Sequence, residues 1–196
     1  MARPYVMFVE GLNDFTFDTE KAEITRSMVM AVNDAADFAR TRSAEEMLRE
    51  INFPRNYLEG QRSRLTVTQR ASQSKPEAVI TGRHRPTSLA RFVTGTVRNG
   101  VRLSVKPGRT GVINNAFLMP LNAGDEAGKN LGLAVRVKRG QRPTNAYRPV
   151  KINDRLWLLY GPSVDQVFRN IRDEVIPATS ERMANEFIRL LEAKIG

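Results

Sequence analysis

The end of this 196-residue chain, residues 157–196, limits its possible folds more than any other stretch. The apolar run 156–160 stops at Gly161-Pro162, a pattern that predicts a buried strand or an extended entry into the core. Ser163 follows at a helix N-cap position, and Gln166, three residues later, completes a capping box. The segment therefore predicts a strand, a tight turn and a helix that closes the domain.

The predicted C-terminal helix contains a proline. Apolar residues recur at helical spacing from Val164 to Val175 and again beyond Pro177. Because proline cannot donate a helical hydrogen bond, we expect a helix from residue 163 to about Ala193 that is kinked or broken near Pro177. We expect two aromatic side chains to be largely buried, Trp157 and Tyr160. We expect three apolar side chains of the helix to face the sheet or a partner subunit, Phe187, Ile188 and Leu191.

Two helices are predicted over residues 18–53. Apolar residues at helical spacing over 24–39 predict an amphipathic helix that begins at residue 18 or 19. Ser43 and Glu46 form a second capping box, which predicts a separate short helix that Pro54 stops. We expect an angled pair of helices rather than one rod. Residues 1–17 should be a short strand or a docked arm.

Residues 57–160 have the pattern of a β-rich region, with short alternating apolar stretches separated by glycines. Asn99-Gly100 predicts a hairpin turn, and residues 112–119 and 131–137 predict two further strands, the second of them half-buried. The polar segments 70–76, 122–130 and 139–149 are predicted to be contact elements, or to be disordered in the free subunit. The predicted fold class is α+β: a small antiparallel sheet or partly closed barrel, flanked by N-terminal helices and a long C-terminal helix in a single domain over residues 1–196.

The chain carries a formal charge of +10, and 24 of its 31 basic residues are arginine. An excess of arginine suggests an anionic partner, either nucleic acid or an acidic protein surface. There is no cysteine, which excludes disulfides and thiolate metal sites. No stretch approaches the roughly 20 apolar residues that span a bilayer, and residues 1–10 do not resemble a secretory signal. We therefore expect a cytoplasmic product that does not contact a membrane.

No group of residues predicts catalysis. His84 is the single histidine, between two arginines, and only a pocket in which it has a partner would support an enzyme. Residues 106–111 lack the Gly-Lys-Ser/Thr ending of a phosphate loop. We expect no catalytic residue, no cofactor and no metal.

The arginines of the β-rich region are the remaining functional signal. They could contact DNA phosphates in a lumen or pair with acidic neighbours, and the sequence leaves both open. The candidate lumen or interface residues are Arg83, Arg85, Arg98, Arg102, Arg136, Lys138, Arg139 and Arg142.

Four segments, taken in order, carry a family resemblance. They are the early helix around residues 28–33, the segment 53–58 leading into 64–67, the Ala116-Phe117 strand, and Leu-Tyr-Gly-Pro-Ser-Val at 159–164. Their order resembles the prophage minor tail protein Z family, the tail completion proteins of tailed bacteriophages. The candidate structural motif consists of Tyr160, Gly161, Pro162, Ser163 and Gln166. Residues 1–17 and the Gly124-Asp125-Glu126 insert depart from the family pattern.

The resemblance implies a structural virion protein, made in the bacterial host cytoplasm, at the head-proximal end of a phage tail. Its partners would be further copies in a ring, with six-fold symmetry favoured, other neck and tail proteins, and packaged DNA in the lumen. Its sites would be subunit interfaces, with no cofactor and no catalytic residue. The alternative is a basic non-virion protein that binds nucleic-acid phosphates, and a salt titration of DNA binding would discriminate between the two.

Overall fold

The computed structural model describes residues 5–7, 18–60, 63–121, 130–144 and 148–195, and it has the predicted α+β class. The helices are α1 (Asp18–Glu50), α2 (Arg55–Leu58) and α3 (Val164–Ile195), with a 3-10 turn at Leu89–Phe92. The strands are β1 (Tyr5–Met7), β2 (Leu65–Gln69), β3 (Ala78–Gly82), β4 (Val93–Val97), β5 (Gly100–Leu103), β6 (Gly111–Asn114), β7 (Ala116–Pro120), β8 (Leu131–Arg136), β9 (Arg148–Lys151) and β10 (Leu156–Tyr160).

These strands form three antiparallel sheets, where the sequence predicted one sheet or a partly closed barrel. Sheet A has the order β1-β3-β2, sheet B the order β7-β8-β10-β9 and sheet C the order β4-β5-β6. None of the three closes into a barrel within the described ranges. The expected strand over 112–119 is in fact two strands in different sheets, because Asn115 adopts a left-handed conformation with φ of 58° and turns the chain from sheet C to sheet B.

Helix α1 is one continuous rod of 33 residues, so the prediction of an angled helix pair was wrong. Ser43 lies inside the helix and is only 1% exposed, so it caps nothing. The acidic side chains near Ser43 form ion pairs instead of a cap. Arg42 lies on the same helical face as Glu45 and Glu46 and pairs with each of them at 3.1 Å. A Ser-x-x-Glu pattern also fits a helix interior, where residues three and four apart are neighbours.

Helix α3 begins as predicted, but the expected break near Pro177 is absent: one helix runs from Val164 to Ile195 with the proline inside it. The backbone N–H of Gln166 donates to Ser163 Oγ at 3.1 Å, which supplies the N-cap bond of the predicted box. Residues 164–175 of this helix pack into the main apolar core together with α1, the 3-10 turn and one face each of the sheets. The segment thus closes the domain as its sequence indicated.

The second half of α3 packs along α1 over a smaller apolar cluster. This cluster consists of Met28, Val32 and Ala36 from α1 and of Ala71 and Ala78 from the two ends of the β2–β3 connection. From α3, Met183 and Phe187 pack against it. Arg182 pairs with Asp34 at 2.7 Å, and this ion pair joins the two helices on the surface. The inner face of the helix is therefore the one that carries Phe187.

The two aromatic side chains of this region keep most of their surface buried, as predicted. Trp157 and Tyr160 are partly exposed, and Leu158 and Leu159 between them are buried. Ile188 is 52% exposed, so it does not pack against the sheet, and its contact with a partner subunit stays a prediction. It lies next to Phe187 in sequence, and the 100° turn between successive helical residues carries it off the packed face.

Strand β8 and the β4–β5 turn also differ in detail from expectation. Strand β8 is buried over four consecutive residues, 132–135, rather than at alternate positions. Val97 pairs with Gly100, so the hairpin turn consists of Arg98 and Asn99, one residue earlier than predicted. Gly100 instead opens β5, where a Cβ would lie 2.3 Å from the Ile113 carbonyl oxygen of β6.

Of the three predicted contact loops, residues 70–76 are built into the fold of the single chain. Ser72 and Lys75 exchange backbone hydrogen bonds, and the Asn33 side chain of α1 bonds both to the N–H and to the carbonyl of Ala71. In the predicted loop 139–149, the Gln141 N–H donates to the Lys138 carbonyl and closes a turn, whereas Arg148 and Pro149 belong to strand β9. Residues 122–129 and 145–147 lie outside the described residues.

Candidate functional site

Charge is distributed unevenly between the helices and the β-rich region. Residues 63–160 contain 18 Lys and Arg but only 4 Asp and Glu, a net charge of 18 − 4 = +14. Helices α1 and α3 together contain 10 basic and 14 acidic residues, a net charge of 10 − 14 = −4. The positive charge of the chain therefore lies on the sheets and their turns.

The structure divides the candidate arginines between the two ends of sheet B. Leu156, at the start of β10, pairs with Arg136, whereas Tyr160, at its end, pairs with Arg148. Four strand steps of about 3.3 Å separate the two ends. Arg83 and Arg85 lie at the Tyr160 end, since the Arg83 carbonyl bonds to the first turn of α3.

At the Leu156 end, an open cleft of about 610 Å³ is lined mainly by cations and amides. We call it the Arg136 cleft. It is formed by the end of β8, the turn that follows and the residue before β10, and it is lined by Asn115, Arg136, Val137, Lys138, Arg139, Gln141 and Arg155. Three of the eight candidate residues are therefore brought together here, and Arg155 joins them.

Most cations of the Arg136 cleft are not neutralised by the protein. The Arg136 guanidinium lies 5.2 Å from the ring centre of Phe117, a cation–π contact that orients it. Within the described parts of the chain, no carboxylate pairs with Arg136, Lys138 or Arg155. The nearby Asp154 bonds to Lys151 at 2.9 Å, which holds the pKa of this carboxyl below its usual value, and it lies 3.9 Å from Arg139.

The remaining candidate residues of this region do not line the cleft. Arg98 is in the β4–β5 turn, and its neighbour Asn99 accepts a hydrogen bond at 2.8 Å from the N–H of Asn115, a cleft residue. Arg102 is exposed on β5 in sheet C, and Arg142 is exposed directly after Gln141. Alternation alone would have placed these side chains on one sheet face, but three separate elements present them.

At the opposite end of sheet B, a second cavity of about 360 Å³ lies beside the start of α3. We call it the Asp165 pocket. Asp165 is only 2% exposed, and its carboxylate bonds to Arg169 and to His84, whose Nδ1 lies 3.2 Å from Oδ2. The residues that line the cavity are His84, Arg148, Ser163, Gln166, Arg169 and Asn170.

His84 thus has a partner that the sequence did not indicate. A carboxylate at Nδ1 orients an imidazole ring, but a nucleophile is also needed for covalent catalysis. Asp165 is the one hydrogen-bond partner of His84 among the described residues, and the Ser163 hydroxyl is engaged as the cap of α3. The Asp165 backbone N–H also donates to the Arg83 carbonyl at 3.1 Å, so the backbone and the carboxylate of Asp165 both join the segment after β3 to α3.

Arg83 and Arg85 do not form a joint surface with the cleft. The Arg83 guanidinium is half-buried and reaches the Tyr57 hydroxyl at 3.5 Å, and Arg85 is exposed beyond it. Sequence reasoning missed Arg155 and Arg169, and it counted Arg148 among the basic residues of the β-rich region but not among the eight candidates. Arg155 lines the cleft because β8 and β10 pair in a particular register, which no local pattern in the sequence specifies.

The described residues contain no group of three or more His, Asp or Glu side chains placed to hold a metal ion. They also contain no helix that is both long and apolar enough to cross a bilayer. Comparisons of the chain with protein-family models, with curated proteins and with solved structures gave no match. The functional argument therefore depends on the residues and their arrangement.

Proposed function

We propose that this chain is a structural virion protein of a tailed bacteriophage. It would be a tail completion protein at the head-proximal end of the tail, joining tail to neck or connector through ring-forming interfaces between subunits. The order of segments that resembles the minor tail protein Z family supports this proposal. The structural observation that carries it is the separation of charge between basic sheets and net acidic helices, because complementary faces of one chain suit head-to-tail contacts between copies.

Exposed apolar side chains beside the basic surface support an interface at strand β9. Val150 is 48% exposed, and Ile152, just beyond the strand, is 51% exposed. Protein interfaces combine such apolar side chains with arginine. Pro149 stands in the middle of β9 and lacks an N–H, which blunts this sheet edge against the addition of another strand. The contacts would therefore be made by side chains rather than by backbone pairing.

Locating the subunit in purified virions tests the proposal. Mass spectrometry should detect it in the particle, and imaging of the neck should place it in a ring, for which six copies are expected. Absence from the particle would refute the proposal.

Paired variants test the interface itself. Ile152→Asp should prevent assembly while the free subunit keeps its unfolding temperature, because the side chain is already exposed. Val112→Asp is the matched control, since Val112 is 48% exposed but lies on β6 in sheet C, outside both β9 and the acidic helices. Equal effects of the two substitutions on assembly would count against an interface at β9.

The second candidate function is a basic non-virion protein that binds nucleic-acid phosphates. The net charge of +14 on the β-rich region favours it. A preferred DNA sequence, bound at physiological salt by a protein that is absent from virions, would favour this function. Weak binding that collapses with salt, together with presence in the particle, would favour the tail protein.

A further inference from the structure

We propose that the Arg136 cleft is a binding site for the phosphodiester backbone of DNA, and that it recognises charge without reading base sequence. The site can be measured on the free chain, so this inference depends neither on the ring nor on the virion assignment. Phosphate binding is assigned only to the part of the basic surface that forms the Arg136 cleft, and not to the Asp165 pocket.

The composition of the cleft matches phosphate chemistry. Arginine presents a planar fork of donors that fits two phosphate oxygens, and lysine adds a compact charge. Arg136, Lys138 and Arg155 lack carboxylate partners among the described residues, so their donors are available to a ligand. The side-chain amides of Asn115 and Gln141 lie on the same lining and can donate further hydrogen bonds.

Asp165 shows why the second cavity is different. There a buried carboxylate already occupies His84 and Arg169, at 3.2 Å in the case of His84. A phosphate near this carboxylate would meet a negative charge as well as the cations. At the other end of sheet B, Asp154 is an exposed carboxylate that is bonded to Lys151 and lies 3.9 Å from Arg139. Among the described residues, no carboxylate pairs with the other three cations of the Arg136 cleft.

The position of Phe117 argues against base recognition. Proteins that bind single strands stack bases on exposed aromatic rings. The Phe117 ring is covered by the Arg136 guanidinium at 5.2 Å, and no aromatic residue from the described parts of the chain lines the cleft. Contacts to phosphate oxygens position a nucleic acid but carry no direct sequence information. Binding should therefore be independent of sequence.

The lining also favours nucleic acid over an acidic peptide. Among the described residues that line the cleft, Val137 is the one apolar side chain, so a peptide would bury little apolar surface against them. A phosphate backbone needs no apolar contact. The turn that carries Arg98 is hydrogen-bonded to Asn115 of the cleft. Arg98 therefore adds a further cation for a polymer that is charged at every phosphate.

The test measures the affinity of the purified chain for short duplex DNA over a range of salt concentrations. Each phosphate contact contributes about −0.9 to the slope of log K against log salt concentration. Arg155→Gln should reduce the magnitude of that slope by about 0.9 and weaken binding about fivefold near 0.15 M salt. Arg136→Lys should keep the slope, because it keeps the charge, but should weaken binding by loss of the fork and of the Phe117 contact.

Arg26→Gln is the control, because it removes the same charge from an exposed position on α1, where Arg26 pairs with Glu23. It should leave the slope unchanged. Duplexes of unrelated sequence should bind equally well. The inference is overturned if Arg26→Gln weakens binding as much as Arg155→Gln, if affinity depends on DNA sequence, or if a poly-glutamate peptide binds as tightly with the same dependence on Arg155. Unfolding temperatures equal to that of the parent chain establish that each variant is folded.

Discussion

The close approach of β3 to α3 gives the sharpest stability prediction. Gly82 is the last residue of β3, and a Cβ at this position would lie 2.9 Å from both the N and the Cα atoms of Asp165. These are backbone atoms of the first turn of α3, so no side-chain rotation can relieve the contact. Gly82→Ala must therefore displace the helix from the strand and stretch the 3.1 Å bond from the Asp165 N–H to Arg83.

The expected cost is about 1–3 kcal/mol, the range for an extra methyl group in a packed site. Alanine also lowers the entropy of the unfolded chain, which offsets about 0.4–1 kcal/mol. For a chain of this size, each kcal/mol shifts the unfolding temperature by about 2–4 °C. We therefore expect the midpoint to fall by several degrees for Gly82→Ala.

Gly111→Ala is the matched control, because no atom lies within 4 Å of a Cβ at that strand position. It should leave the midpoint unchanged or raise it. Gly132→Ala should fall between the two, since its Cβ would meet the ends of the flexible Leu158 and Leu121 side chains. Thermal unfolding followed by circular dichroism ranks the three variants. If Gly82→Ala and Gly111→Ala agree within about 0.5 kcal/mol, the steric reasoning is wrong.

Three further perturbations test the C-terminal helix. Ser163→Ala removes the cap of α3 and should lower the free energy of unfolding by about 1 kcal/mol in urea titrations; no change would mean that the cap bond is dispensable. Phe187→Ala should cost about 1.5–2.5 kcal/mol, below the 3–5 kcal/mol of a fully buried phenylalanine because its ring is half-buried, while Ile188→Ala should change stability by less than about 0.5 kcal/mol. Equal losses by denaturant unfolding would contradict the orientation of the helix. Lys194 pairs with Glu23 at 3.0 Å and holds the pKa of that carboxyl below its usual value. The pair therefore favours folding at pH values above the usual carboxyl pKa. This contribution to stability is lost as the pH falls through the lowered pKa of Glu23. NMR titration of Lys194→Ala should show the Glu23 pKa returning toward its usual value, and an unshifted pKa would exclude Lys194 as the cause.

The sequence predicted what depends on neighbouring residues. The cap at Ser163 and the helix behind it need only residues three or four apart, and both were confirmed. The same kind of local pattern failed at Ser43, where a capping box and a helix interior look alike. Burial by the rest of the fold decides between them, since Ser43 is packed into the core side of α1.

The features of the site that the sequence did not predict depend on pairing between strands that are distant in the chain. The partition of the arginines follows from the register of β10 with β8 and β9, which places Arg136 at one end and Arg148 at the other. Nothing near Arg155 in sequence indicates that it lines the same cleft as Lys138. The pairing of His84 with Asp165 joins residues 81 positions apart, and only the close contact of β3 with α3 brings it about.

Pro177 has a consequence for the way in which α3 opens. Lacking an N–H, it leaves the Asp173 carbonyl without its helical donor. The break in the hydrogen-bond ladder falls between the residues that pack into the main core, ending at Val175, and those that pack on the smaller cluster, beginning at Met183. We therefore expect the two halves of the helix to open as different cooperative units. Amide protons of residues 178–195 should exchange with solvent by local fraying from α1, whereas those of residues 167–176 should exchange only when the whole domain unfolds.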